Sequence, residues 1–304
     1  MNSLRYFLAA LAIGAIAVWA SENMFWSAAL PTLTAEELFI TWLAYSFCVA
    51  SAMSAVFLTG VTGFRAAFLG GAIVGWLAEG VIVGTMYQAF PFQLVWTALA
   101  WHALISGAVV FGLGRGSVHW PVSRQILVWL AVGLFAGLWA QFWPLERTDL
   151  PGGQGLFLYL LGFGGLVPVA HIVLDRLTPL ESPPRLVLAV APALLGVLWI
   201  MQSLGTPSVL RLALPVLLLL TVWMMKRLGT GRGLIDLGSP APNPARHFLF
   251  LLAPFTAAML ATLGWGRLGG FEANVLIALT TGPVSLLIYL WLLFRSIRSG
   301  KARN

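Results

Sequence analysis

Two ionisable side chains, Glu79 and His102, lie inside long apolar stretches of this sequence and are the best candidates for chemistry. An ionised carboxylate at that depth in a membrane costs from about 2.5 to more than 10 kcal/mol, so Glu79 must be protonated, paired or hydrated. A carboxyl beside an imidazole can exchange a proton near neutral pH. We interpret the two residues as a proton-exchanging pair. The alternative is a structural hydrogen bond between two helices.

The depths of the two residues in their segments predict that they touch. At 1.5 Å per residue, Glu79 lies roughly 13 Å and His102 roughly 17 Å from the short turn that joins the segments. Helices joined by so short a turn must lie side by side. Gly71 and Gly75 share a helical stripe with Glu79, so a second helix can approach this face closely.

Aromatic side chains surround this pair in the sequence. The predicted ligand-binding residues are Glu79, His102, Tyr87, Trp76, Trp96 and Trp101. Further aromatic residues gather near the same predicted membrane face, at Trp19, Phe25, Trp26, Phe90, Phe92, Trp139, Phe142 and Trp143. An interfacial belt is the ordinary explanation for them. The alternative is a vestibule that holds an apolar or cationic guest above Glu79, and the direction of the rings distinguishes the two.

The composition places these residues in a membrane protein. Hydrophobic residues make up 60% of the 304 positions and charged residues 9%, which leaves too little polar surface to coat a soluble protein of this size. Apolar windows of about 20 residues, each long enough to span a bilayer, recur along the chain. We predict an all-α polytopic fold with one membrane domain, residues 1–304. Its ten segments are 1–30, 38–59, 66–87, 92–113, 126–143, 156–174, 186–204, 210–225, 248–268 and 275–293.

The first segment has two interpretations. Arg5 followed by an apolar run that ends at Ala20 is typical of a signal peptide. The same run, extended past Ser21 to about residue 30, is long enough for a first spanning helix, which is the interpretation we favour.

The basic residues predict the orientation. With a cytoplasmic N-terminus, fourteen fall on the cytoplasmic side: Arg5, Arg65, Arg115, Arg124, Arg176, Arg185, Lys226, Arg227, Arg232, Arg246, Arg295, Arg298, Lys301 and Arg303. Only Arg147, Arg211 and Arg267 fall on the other side, which carries most of the acidic residues. We therefore predict a multi-pass protein of the cell inner (plasma) membrane with both termini in the cytoplasm. The long basic loop 226–247 is predicted to face anionic lipid headgroups.

Internal prolines separate two halves of the domain. Residues 1–147 hold five predicted segments without internal proline, whereas each of the five segments in residues 148–304 contains one. These are Pro168, Pro192, Pro215, Pro254 and Pro283. Proline removes a helical hydrogen bond and clashes with the preceding turn, so we expect kinked or broken helices in the second half. Such helices suit a moving gate, although membrane helices also tolerate proline for packing alone.

Ten segments with both ends on one side resemble the drug/metabolite transporter superfamily in length and topology. Five segments per half would also allow an inverted repeat. The two halves share no residue pattern, and no motif of that superfamily occurs, so the resemblance is one of segment count.

Several other function classes find no support in the sequence. The net charge of +7 is spread over short loops, so nucleic acid is not an expected partner. No HExxH, CxxC, GxSxG or nucleotide-binding fingerprint occurs. The remaining histidines, His119, His171 and His247, lie near the cytoplasmic side, away from His102 in depth. We therefore predict neither a metal site nor a haem or other cofactor.

Three functions remain open. The first is a transporter or flippase for a small organic or amphipathic solute, which in one version is a cation. Its transport would be coupled to protons through Glu79 and His102. The second is an integral-membrane enzyme that acts on a lipid or isoprenoid, with His102 as base and Glu79 as its partner. The third is a non-catalytic subunit of a membrane complex. Membrane lipids and a small-molecule or lipid-like substrate are the expected partners.

Overall fold

The computed structural model describes residues 2–30, 32–231, 234–235 and 238–301, without the side chains of residues 234, 235, 300 and 301. The protein is 83% helical and is an all-α polytopic membrane protein. Within the described residues, ten helices are long and apolar enough to cross a membrane. They are α1 (Asn2–Trp26), α2 (Ala35–Thr59), α3 (Gly63–Ile82), α4 (Leu94–Ser117), α5 (Val122–Glu146), α6 (Gly153–Leu177), α7 (Arg185–Gly205), α8 (Val209–Leu228), α9 (Pro244–Leu268) and α10 (Ala273–Lys301).

The first four helices form the centre of the bundle. α3 packs along α4, α1 packs along α2, and α2 packs against α3. On one flank α9 packs against both α5 and α6, and α6 also packs on α1. On the other flank α7 covers α2, α8 covers α3 and α10 covers α4. Most of α3 is therefore buried, whereas most of α7 and α8 faces outward, as lipid-facing helices do.

The two ends of the bundle differ in charge. We call one the basic end, defined by Arg5, Arg65, Arg115, Arg124 and Arg185, and the other the acidic end, defined by Glu36, Glu37, Glu146, Asp149 and Glu272. At the basic end, two short strands, β1 (Leu180–Glu181) and β2 (Leu234–Ile235), pair antiparallel. Arg5 Nη2 donates to the carbonyl of Leu177 at 2.5 Å and ties the start of α1 to the end of α6. Arg232 and Arg303 of the predicted basic set lie outside the described residues.

Glycines bring α3 and α4 into direct backbone contact. A Cβ atom at Gly71 would lie 2.7 Å from the carbonyl oxygen of His102, and one at Gly75 would lie 2.5 Å from that of Ala98. Neither backbone oxygen can move without shifting a helix. The close approach that the glycine stripe predicts is therefore present, and it fixes the separation of the helices that carry Glu79 and His102.

Replacing Gly75 with alanine is expected to destabilise the protein by about 1–3 kcal/mol, because the added methyl group must push α4 away from α3. Thermal or denaturant unfolding in detergent measures the change. Gly162→Ala is the matched control, since a Cβ atom there meets nothing within 4 Å. Equal stability of the two variants would contradict the packing described for α3 and α4.

Prolines disturb three of the five helices in the second half. The irregular stretches are Gly165 in α6, Val209–Leu212 in α8 and Pro244–Leu251 in α9. Each ends three residues before a proline, at Pro168, Pro215 and Pro254, where the ring excludes the normal helical hydrogen bond. Pro192 and Pro283 instead lie inside continuous α-helix.

The first half is not regular either, although it lacks internal prolines. π-Helical turns occur at Trp19–Asn23 in α1, at Ala78–Ile82 in α3 and over Leu94–Leu113 in α4. α3 also ends at Ile82, five residues earlier than the sequence predicts. Gly84, with φ of +80°, then turns the chain so that Thr85 folds back toward the helix end. The expected contrast between a regular and a broken half is therefore only partly present.

Candidate functional site

Glu79 and His102 are in contact. Glu79 Oε1 lies 3.0 Å from His102 Nε2, and the two residues are 8% and 3% exposed. Both sit in π-helical turns, Glu79 near the end of α3 and His102 in α4. The contact predicted from their depths is present. Because α3 ends at Ile82, the pair lies closer to the acidic end than the sequence suggests.

Three hydroxyl side chains extend this pair on both sides. Thr85, in the turn after α3, donates to Glu79 Oε2. Ser21 Oγ, from α1, lies 3.0 Å from His102 Nδ1 and 2.9 Å from Ser106 Oγ. Sequence reasoning missed Ser21 and Thr85 as site residues. For Ser21 a signal existed, since it opens a short polar run, residues 21–23, within an otherwise apolar segment.

The directions of these hydrogen bonds locate the protons. Ser106 donates to the carbonyl of Trp101 at 3.0 Å, which uses its only hydroxyl hydrogen. In the arrangement that keeps this bond, Ser21 donates to Ser106, and His102 Nδ1–H donates to Ser21, although the distances alone allow the reverse directions. In this arrangement a neutral His102 has its lone pair on Nε2. One proton is shared between that nitrogen and Glu79 Oε1, as a neutral acid–imidazole pair or as an ion pair.

These hydrogen-bond directions can be compared with those that the enzyme alternative requires. Ser21, His102 and Glu79 have the residue types of a nucleophile, a base and an orienting acid. A base must present a lone pair to the nucleophile, however, and His102 presents an N–H to Ser21. With the protons arranged in this way, His102 does not activate Ser21 for attack.

Ser21 and Glu79 each lie in a single π-helical turn, at Trp19–Asn23 of α1 and at Ala78–Ile82 of α3. His102 lies within a π-helical stretch of 20 residues, Leu94–Leu113, which forms most of α4. Single π-turns inside α-helices are frequent at functional sites. Two such turns therefore meet the π-helical α4 at this site.

A second carboxyl, Glu22, lies beside the pair. Tyr45 donates to Glu22 Oε1 at 2.5 Å and Trp26 donates to Oε2 at 3.2 Å, while the Tyr45 ring centre is 5.9 Å from that of His102. The sequence places Glu22 on the membrane surface, but the structure half-buries it within α1.

A cavity of about 480 Å³ leads from the basic end to this site. It lies between α1, α2, α3 and α4, and its walls are mainly apolar. Gly63, Phe64 and His119 line its mouth and are exposed, whereas His102 and Ser106 line its buried end. Its volume falls in the range of small-molecule sites, roughly 300–1,000 Å³. Beyond it, Glu79, Thr85 and the Tyr45–Glu22 contact form a thin barrier toward the acidic end.

The predicted aromatic ligands do not line this cavity. Trp76 donates to Thr221 on α8, and Trp101 donates to the carbonyl of Ala20. Tyr87 donates to the carbonyl of Gly80 and lies under Arg211, and burial raises its pKa. Of the six predicted ligand-binding residues, only His102 lines the cavity. Neighbours in a helix point in different directions, and the π-turns shift those directions further from what spacing predicts.

Trp96 instead belongs to a second cavity, of about 380 Å³, near the acidic end. Five rings and part of α10 line it: Phe25, Phe92, Trp96, Trp139, Phe142, Asn274, Val275, Ala278 and Leu279. Trp96, Trp139 and Phe142 are buried, so these rings do not form a lipid-facing belt, whereas Phe90 and Phe92 are exposed as a belt requires. The burial of Trp96, Trp139 and Phe142 contradicts a lipid-facing belt for these three rings, and a guest held among them stays a prediction.

Two of the remaining histidines, His171 and His247, lie together with an acid, which the sequence did not indicate. Asp175 accepts from Arg115 Nη1 at 2.6 Å and from His247 Nε2 at 2.8 Å. The His247 ring stacks on that of His171, with centres 5.2 Å apart. Among the described residues, no group of three or more His, Cys, Asp or Glu could hold a metal ion. The cluster joins α4, α6 and α9 behind the cavity mouth.

No family model, no curated protein and no solved structure matches this chain. The class of protein therefore follows from fold and site: a polytopic α-helical membrane protein with a buried carboxyl–imidazole pair at the closed end of an apolar cavity.

Proposed function

We propose that this protein is a proton-coupled transporter or flippase for an amphipathic small molecule, seen here open toward its basic end. The observation that carries the proposal is the position of the Glu79–His102 pair between two compartments. The cavity reaches His102 from the basic end, and Thr85 reaches Glu79 from the acidic end. A proton site with access from either side is what alternating access requires.

The cavity supports an amphipathic solute. Its apolar walls suit an acyl chain or aromatic rings, and Arg115 and His119 near its mouth suit a polar head. The cationic Arg115 lies at the end from which the cavity opens, so the proposal does not require a cationic solute. The transport cycle would be completed when the mouth of the cavity closes and the barrier around Thr85 opens toward the acidic end. Three proline-disturbed helices could supply that movement: α6 and α8 pack against the central four, and α9 packs against α6.

Proteoliposomes loaded with the pH dye pyranine test this function. Tetraphenylphosphonium, a fluorescent phosphatidylglycerol and a fluorescent fatty acid would be added in turn, with protein-free liposomes as the control. We expect at least one probe to cross the membrane and to move protons as it does so. Transport of a probe without proton movement would overturn the coupling, and transport of none of the three would overturn the amphipathic class.

Single cysteines test the open state of the cavity. Cys48 is the only cysteine of the chain and is buried, so Cys48→Ala provides a clean background. Ala67 and Ala108 line the cavity, so Ala67→Cys and Ala108→Cys each place a thiol in it. Leu127→Cys, on an exposed apolar face of α5, is the matched control. Because a thiol reacts as its hydrated thiolate, we expect a membrane-impermeant maleimide to label the cavity positions only from the basic end. Labelling equal to that of Leu127→Cys would contradict a water-accessible cavity.

A further inference from the structure

Side-chain hydrogen bonds connect Glu79 to the cavity without a break. From Glu79 Oε1 the contacts run to His102 Nε2 at 3.0 Å, from His102 Nδ1 to Ser21 Oγ at 3.0 Å, and from Ser21 Oγ to Ser106 Oγ at 2.9 Å. Ser106 lines the closed end of the cavity. At the other end of the chain of contacts, Thr85 donates to Glu79 from the half-buried turn near the acidic end. The five side chains span the barrier that closes the cavity.

We propose that Ser21 and Ser106 form a proton relay between the Glu79–His102 pair and the cavity, with Thr85 at the entrance on the acidic side. The inference rests on the proposed transport function, and it adds two residues, Ser21 and Ser106, that carry protons. It also assigns a direction of access: protons reach Glu79 from the acidic end and leave through Ser106.

Each transfer between two side chains of the relay follows a hydrogen bond present in the structure. The shared proton passes fully to His102 Nε2, while the Nδ1 proton passes to Ser21 Oγ. The hydroxyl proton of Ser21 passes to Ser106 Oγ. The Ser106 hydroxyl turns from the carbonyl of Trp101 toward the cavity and passes its proton to a cavity water, which becomes hydronium. Glu79 is left as a carboxylate and takes up the next proton from hydronium at Thr85. Rotation of the two hydroxyl groups and of the imidazole then restores the starting directions, so atoms and charge balance.

The partners of Ser21 distinguish it from a serine that merely packs in a helix. Ser46 and Ser51 in α2 donate to carbonyls four residues back in their own helix, the common arrangement for membrane serines. Both hydrogen bonds described for Ser21 instead cross to α4, one to an imidazole and one to a hydroxyl. Both of those groups can accept and release protons, whereas a backbone carbonyl can only accept a hydrogen bond.

Proton flux into proteoliposomes tests the relay without a solute. A potassium gradient with valinomycin sets an inside-negative potential, and pyranine reports the entering protons. We expect the wild type to conduct above the level of Glu79→Gln, and Ser21→Ala and Ser106→Ala to fall roughly 100-fold, the lower end of what a positioned proton-transfer group contributes. Ser21→Thr retains a hydroxyl and should keep most of the flux.

Ser51→Ala is the matched control, because Ser51 is equally buried and donates only within its own helix. Wild-type rates for Ser21→Ala, or a wild type no faster than Glu79→Gln, would overturn the relay. The proposed transport function fails separately: if a probe solute still drives protons in Ser21→Ala, transport stands and the relay is wrong. Equal melting temperatures of all variants would show that a loss of proton flux does not result from unfolding.

Discussion

Replacing Glu79 with glutamine is expected to abolish solute-driven proton movement while leaving the fold intact. The amide has the size of the carboxyl and can still bond to His102 and Thr85, but it cannot release a proton. Removing a positioned proton-transfer group typically lowers a rate by about 10²–10⁴-fold, and we expect a loss in that range. Pyranine-loaded proteoliposomes give the rate, and equilibrium binding of the same probe solute should change far less.

Glu36→Gln is the control for this substitution. Glu36 is an exposed acid in the first turn of α2, at the acidic end, so its replacement removes the same charge from the chain without touching the pair. We expect wild-type rates from it. Undiminished proton movement in Glu79→Gln, or an equal loss in Glu36→Gln, would contradict a proton-carrying role for Glu79.

Replacing Asp175 with asparagine is expected to cost about 3–5 kcal/mol of stability, the usual effect of breaking a buried ion pair. Arg115 is 6% exposed and donates to this carboxylate at 2.6 Å, and His247 and the backbone N–H of Ala241 donate to it as well. Asparagine removes the negative charge and one of the acceptor oxygens. Unfolding in detergent, followed by tryptophan fluorescence, measures the loss.

Two further variants separate charge from packing in that experiment. Asp149 also accepts from an arginine, and the hydrogen bonds from Arg147 hold its pKa below the ordinary value, but the Asp149 carboxylate itself is exposed. Asp149→Asn should therefore leave stability nearly unchanged. The double variant Arg115→Met, Asp175→Leu should recover much of the loss, because apolar replacements of a buried ion pair are often neutral. A mild effect of Asp175→Asn alone would show that the cluster does not hold α4, α6 and α9 together.

The sequence by itself determined the fold class, the number of helices and the contact at the centre of the site. Hydrophobic length is a property of one segment at a time, so the ten spans could be counted directly. A carboxyl and an imidazole are costly in lipid, so Glu79 and His102 stand out within their apolar segments by residue type alone. The short turn between their segments made them neighbours, and Gly71 and Gly75 predicted how closely their helices approach.

Only the tertiary structure decided what surrounds the pair. Ser21, from a helix far away in sequence, and Thr85, from a turn that folds back, depend on how helices rotate and where they end, and apolar periodicity does not encode either. The same reason explains why the aromatic set chosen by proximity in sequence, including Trp76 and Trp101, points away from the cavity. The cavity itself, and its opening toward the basic end, arise from packing among four helices at once. Each of these depends on contacts between segments, which one segment's residue pattern does not specify.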